Sequence, residues 1–229
     1  MKFLLTIISV FLISSGALLA QEINLMDANG KRHGVWKKSY PNTKQLRYQG
    51  QFDHGREIGV FNFYCEECGN QPYAIKEFKG NGEVLVTYFT KKGKLVSEGK
   101  MIGKTREGEW LTYHKNSKEV MIRENYRNDK LDGVVTTYYG NKVVTETTPY
   151  KNGIKEGLSK NYSYEGKLLN ELTYQNDKLY GPAVYYNPTG EKTIEGQYKK
   201  GRKDGIWKYY KNGKVAVEEK FPKLLKKKD

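Results

Sequence analysis

The amino-acid sequence predicts an all-β fold, an elongated single antiparallel β-meander of tandem β-hairpin repeats. Three observations carry that expectation: glycines recur at a fixed interval, aromatic residues stand at fixed offsets from them, and two short β-prone runs fill each interval. Gly133, Gly157, Gly181 and Gly205 lie 24 residues apart, and Gly108 precedes them by 25. At the front, Gly34 and Gly59 are again 25 apart. Between Gly59 and Gly108 lie 49 residues, room for two units, the second opening near Gly82 in a degenerate form. The total is about eight units. A fixed period of this length is the signature of a repeat architecture.

Each unit repeats the same order of residue types. Two positions after the opening glycine a bulky aromatic is frequent: Trp36, Phe61, Trp110 and Trp207. Five positions after it stands a tyrosine: Tyr64, Tyr113, Tyr138, Tyr162, Tyr186 and Tyr210. Turn formers follow, such as Glu165-Gly166-Lys167 and Asn212-Gly213-Lys214, then a second run with a glutamate three residues before an aromatic (Glu171/Tyr174, Glu195/Tyr198, Glu218/Phe221). Polar segments such as Asn152-Gly153 close the units. Short Tyr/Val/Thr-rich runs divided by Asn-Gly-type turns are hairpin signals. Sixteen strands about 4.8 Å apart would extend roughly 75 Å, a ribbon in which neighbouring hairpins supply each other's buried surface. The opening glycines are expected either to leave space for a neighbouring ring or to bear a positive φ. Rings at equivalent positions are expected to form ladders along the sheet.

Composition is consistent with this. The 229 residues include 19 Tyr and 24 Gly, so the apolar mass of the interior comes largely from aromatic rings. Lys and Arg number 40 against 26 Asp and Glu, a net charge of +14. Residues 1–20 differ from the rest: Lys2 precedes the apolar run Phe3 to Ile13, and small residues follow. This reads as a signal peptide cleaved after Ala17 or Ala20, with an uncleaved membrane anchor as the alternative. The expected organisation is a leader over 1–20, the hairpin array over 21–222 and a basic tail over 223–229. The expected location is outside the cytoplasm: periplasm, cell surface or medium. There Cys65 and Cys68 are most simply a local disulfide; a redox or zinc role would need a helix start or further ligands.

The run Gly205-Ile206-Trp207-Lys208-Tyr209-Tyr210-Lys211-Asn212-Gly213-Lys214 resembles the MORN repeat, and more closely the bacterial variant of YwqK-type proteins. The resemblance covers about residues 28 to 222. It implies scaffolding or protein- and lipid-contacting modules, and YwqK-type proteins are commonly labelled antitoxins of toxin–antitoxin pairs. A leader at Met1 to Ala20 departs from a cytoplasmic antitoxin, but not from an exported, immunity-like binder.

No constellation of nucleophile, base and metal ligands stands out, so no enzymatic activity, metal or cofactor is expected. His33, His54 and His114 are scattered in sequence, and His54 and His114 fall in turns. Glu98, Glu146, Glu171, Glu195 and Glu218 read as partners of neighbouring lysines across strands. Cations concentrate between units (Lys104, Arg106, Lys130, Lys155, Lys178, Lys200, Arg202, Lys203), a basic stripe diluted by Glu107, Asp132, Glu156 and Asp204. Nucleic acid is a poor partner for an exported chain. The expectation is a non-catalytic protein-binding or scaffolding module, with anionic envelope lipid or polysaccharide as the other partner class.

Overall fold

A computed structural model of the protein describes residues 22–223; the leader and the tail beyond Lys223 lie outside the described residues. Those residues form one 19-stranded antiparallel sheet in which every strand pairs with its neighbours in sequence. Leu25–Met26 adds a short strand to the front, and two later strands are each interrupted by one residue, at Asp132 and at Glu156. The remainder pair as eight hairpins among the described residues. The first joins Arg32–Ser39 to Leu46–Asp53, and the last joins Arg202–Lys211 to Lys214–Phe221.

Turn chemistry explains why the chain reverses where it does. His54/Gly55, Asn128/Asp129, Asn152/Gly153, Asn176/Asp177 and Lys200/Gly201 each place two successive residues at positive φ. This is the two-residue turn whose twist matches the flanking strands. These inter-hairpin turns are also stitched to one another. The second turn residue donates its N–H to a carbonyl of the previous turn: Gly55 to Arg32 (2.8 Å), Asp129 to Arg106 (3.1 Å), Gly153 to Leu131 (2.7 Å), Asp177 to Lys155 (3.2 Å), Gly201 to Leu179 (2.8 Å). Along the opposite edge, side chains do the stitching. The hydroxyl of Tyr40 donates to the Tyr64 carbonyl (2.8 Å), His114 Nε2 donates to Tyr138 (3.0 Å), and Tyr139 donates to Tyr162 (3.1 Å). Both long edges are therefore tied from one hairpin to the next.

The sheet is one layer with two unlike faces. Every buried strand residue lies on one of them, the ring face: Phe52, Phe61, Val84, Val86, Trp110, Tyr126, Thr148, Ser159, Ala183 and Trp207 among them. Several of its rings meet edge to face, as in Phe52–Phe61 at 5.2 Å between centroids and Tyr198–Trp207 at 5.0 Å, a preferred geometry for aromatic pairs. Cations cover the rings from outside. Arg106 lies 3.8 Å from the Tyr126 centroid, Arg32 4.2 Å from that of Phe52 and Lys203 4.2 Å from that of Trp207. Part of the inter-unit positive charge thus serves the ring face rather than a free stripe, while Lys104, Lys130, Lys178, Lys200 and Arg202 remain exposed.

Two expected duties of glycine fall on different residues. The opening glycines Gly34, Gly59, Gly108, Gly133, Gly157, Gly181 and Gly205 all have positive φ. The ring space comes instead from glycines 11 residues before the bulky aromatic. A Cβ on Gly99 would lie 2.3 Å from the Trp110 ring, one on Gly196 2.3 Å from Trp207, and one on Gly50 2.4 Å from Phe61. The register shifts at these places, between Gly99 and Lys100 for example, and the indole N–H takes a carbonyl there. Trp110 Nε1 donates to Lys100 (2.9 Å) and Trp207 Nε1 to Gln197 (3.1 Å). Where the bulky aromatic is missing, size is redistributed: Ala183 faces Leu172, and Ser159 meets Thr148 in a buried hydroxyl pair at 2.8 Å. Thr148 in turn donates to Glu146 at 2.5 Å, so the buried hydroxyls are satisfied.

Candidate functional site

The other face is open, and it is where side chains remain available. Strand alternation puts the residue next to each opening glycine on it, because the bulky aromatic one position later points the other way. Val60, Val134, Leu158 and Ile206 occupy that place and are 45% to 54% exposed; Leu85 holds the matching position in the degenerate unit at 42%. Across strands, Val134 pairs with Pro149 and Leu158 with Thr173, giving an apolar stretch in the middle of the array. A shallow depression of about 430 Å³ opens on the same face, lined by Val60, Ile75, Leu85, Leu111, Glu98 and Glu109 among others. Elsewhere charged partners separate these aliphatics, since Val60 and Leu85 both pair with Glu77 and Ile206 pairs with Lys220. The contiguous apolar patch of the kind that marks contact surfaces is therefore Val134, Pro149 and Leu158.

The tyrosines five after the glycine do not join the ring ladder. Three of them are held on the open face by the repeated glutamates. Tyr113 donates to Glu98 at 2.6 Å and Tyr186 to Glu171 at 3.0 Å, and the Tyr210 hydroxyl hydrogen-bonds to Glu195. Burial, reinforced by Glu98, pushes the Tyr113 hydroxyl up to about 12. The expectation of glutamate–lysine pairs holds only in part. Glu171 bonds Lys160 across strands at 2.9 Å, whereas Glu195 bonds Lys192 of its own strand at 2.7 Å, and both pairs lower the carboxyl groups below their usual range. Glu98 serves the tyrosine, and Glu146 serves Thr148 on the ring face. Tyr64 differs again: it is buried at the start of the second hairpin's loop.

That loop carries the two cysteines. Cys65 and Cys68 are joined by a disulfide with Cα atoms 5.0 Å apart, and Gln45 Nε2 from the previous loop donates to Gly69 at 2.7 Å. The ring closed is very short, so the chain-entropy gain is about 2 kcal/mol. A Cys65→Ser/Cys68→Ser variant is expected to lose no more than that in a urea melt, with the rest of the array unchanged. Thiol labelling of native protein is expected to find no free sulfhydryl.

Two of the three histidines, His33 and His54, meet in space, while His114 stays apart beside Tyr138. His33 and His54 have ring centroids 4.8 Å apart, and the carboxylate of Asp53 lies between them at 3.8 Å from each ring. His54 Nδ1 lies 2.5 Å from Asp27 Oδ2. Asp27, also held by the N–H groups of Asn29 and Lys31, has its carboxyl lowered to about 2, chiefly by the His54 bond. Sequence distance hid this grouping, since 21 residues separate the two histidines. The signal that reveals it is the repeat period: both residues flank the same stitched turn.

Comparison with known families agrees with the hairpin geometry. No curated protein matches the chain. The family described as MORN repeat variant matches residues 131–152 and 155–176, which coincide with the fifth and sixth hairpins. At these two adjacent units the chain is similar to that family, and together with the all-strand meander this supports a MORN-repeat protein.

Proposed function

We propose that this protein is an exported, non-catalytic binding or scaffolding module whose open face docks another protein. The observation that carries the reading is the exposed apolar patch at Val134 and Leu158, with Val60, Leu85 and Ile206 exposed at the same position of other units, while the ring face buries its own apolar surface. MORN repeats are commonly protein- or membrane-binding modules, and the matched units contain Val134 and Leu158. The leader reading places the partner outside the cytoplasm, where an immunity-like role against an exported toxin is one form such binding takes. Glu98, Glu171 and Glu195 on the open face, tied to tyrosines and lysines, leave it poorly suited to an anionic polymer.

Affinity capture from the fraction outside the cytoplasm tests this when wild type is compared with Val134→Asp/Leu158→Asp. Both substitutions sit on exposed positions, so circular dichroism is expected to stay unchanged. A discrete protein retained by wild type and at least tenfold weaker on the variant supports the reading. Equal retention by both proteins sinks it. Binding to anionic vesicles or polysaccharide that disappears with added salt would favour the electrostatic class instead.

A further inference from the structure

We propose that His33, Asp53 and His54 form a binding site for a divalent transition-metal ion, zinc foremost, at the first inter-hairpin turn, with Asp27 as the group that orients His54. The ligand atoms are one imidazole nitrogen from each histidine and Asp53 Oδ1, all within 4.8 Å of one another. His33 Nδ1 and His54 Nε2 each lie 3.8 Å from Asp53 Oδ1, beyond hydrogen-bond reach. Three donor atoms therefore converge without bonding each other. Around a tetrahedral zinc with bonds near 2.1 Å the ligand atoms would stand about 3.4 Å apart. Small rotations of the exposed His33 and His54 and the half-buried Asp53 side chains close that difference.

The surroundings prepare the donors. His54 Nδ1 lies 2.5 Å from Asp27 Oδ2, a carboxylate that holds a proton on Nδ1 and leaves Nε2 as the nitrogen on the Asp53 side. Asp27 is itself fixed, because its other oxygen accepts the N–H groups of Asn29 and Lys31, both at 2.9 Å. Arg56 takes the far oxygen of Asp53 at 3.2 Å, so Oδ1 is the atom that faces the imidazoles. Two imidazoles and a carboxylate suit zinc, copper or nickel rather than calcium or magnesium. Three protein ligands leave one coordination position open.

Comparison among the repeats shows that the histidines are not there to hold the turn. In three of the four later stitched turns the residue equivalent to His33 is acidic and caps the residue equivalent to His54, while Tyr180 stands there at the fourth. Glu107 accepts the N–H of Asn128 (3.0 Å), Asp132 that of Asn152 (3.3 Å) and Glu156 that of Asn176 (2.9 Å). The first turn replaces both members of this structural pair with imidazoles. The Gly55-to-Arg32 backbone bond, which recurs at the other turns, then brings the two rings together.

The test is zinc titration of untagged protein in competition with a chromophoric chelator, with cobalt substitution to read the ligand field. Wild type is expected to bind one zinc per chain and to give a tetrahedral cobalt spectrum. His33→Ala/His54→Asn is expected to lose at least tenfold in affinity, with asparagine chosen because it occupies the same turn position at Asn128, Asn152 and Asn176. Asp27→Asn is expected to lose ten- to a hundredfold, and His114→Ala to bind as wild type does. Unchanged circular dichroism excludes unfolding as the cause. No saturable binding by wild type, or equal binding by the double variant, overturns the assignment.

Discussion

Replacing Trp110 with alanine is expected to cost the array about 3–5 kcal/mol, the range for removing a large buried aromatic. The indole is 7% exposed and packs with Val84, Val86 and Tyr126, while Phe78, Tyr88, Met101 and Leu131 close around that cluster. Its removal leaves a cavity between the third, fourth and fifth hairpins and strands the Lys100 carbonyl that its N–H satisfied. In a chain whose units touch only their neighbours, a weak junction also divides the cooperative transition. Trp36 and Trp207 remain as reporters of the two ends. A urea melt read by fluorescence and far-ultraviolet circular dichroism is expected to begin at lower denaturant and to separate into two steps. A single transition shifted by less than about 1 kcal/mol would contradict this account.

Gly196→Ala is expected to destabilise by about 1–3 kcal/mol, the usual cost of overpacking, although it adds one methyl group in a strand. The added carbon would lie 2.3 Å from the Trp207 ring, so the indole must move and give up its bond to the Gln197 carbonyl. The same substitution made in Trp207→Ala meets no ring. There it is expected to be neutral or to stabilise by about 0.5–1 kcal/mol, as glycine in a strand is entropically costly. The sign change across this double-mutant cycle is the diagnostic result. A cost that persists without the indole would mean that Gly196 is needed for its backbone and not for the space it leaves.

Much of the architecture is legible in the sequence because it follows from local chemistry repeated at a fixed period. The hairpins are legible because Asn-Gly and Asn-Asp pairs tolerate positive φ, and the meander because neighbouring hairpins in sequence are neighbours in space. The site was less legible. Trp110 and Tyr113 look alike as recurring aromatics, but three residues along a strand separate opposite faces, so one packs inside and the other reaches Glu98 across the open face. The glycines that make room for rings, Gly50, Gly99 and Gly196, lie 11 residues upstream of the rings they admit, across a strand pairing that no local motif announces.

Sequence alone determined the repeat, its turns, the aromatic source of buried area and the resemblance carried by Gly205 to Lys214. Only the tertiary structure decided which face is buried, which aliphatic side chains stay in solvent, and that His33 and His54 meet. The physical reason is that turn geometry is set by a residue and its immediate neighbours. Face and proximity are set by strand register, and register is fixed by cross-strand contacts such as Gly99 with Trp110, which no local motif encodes.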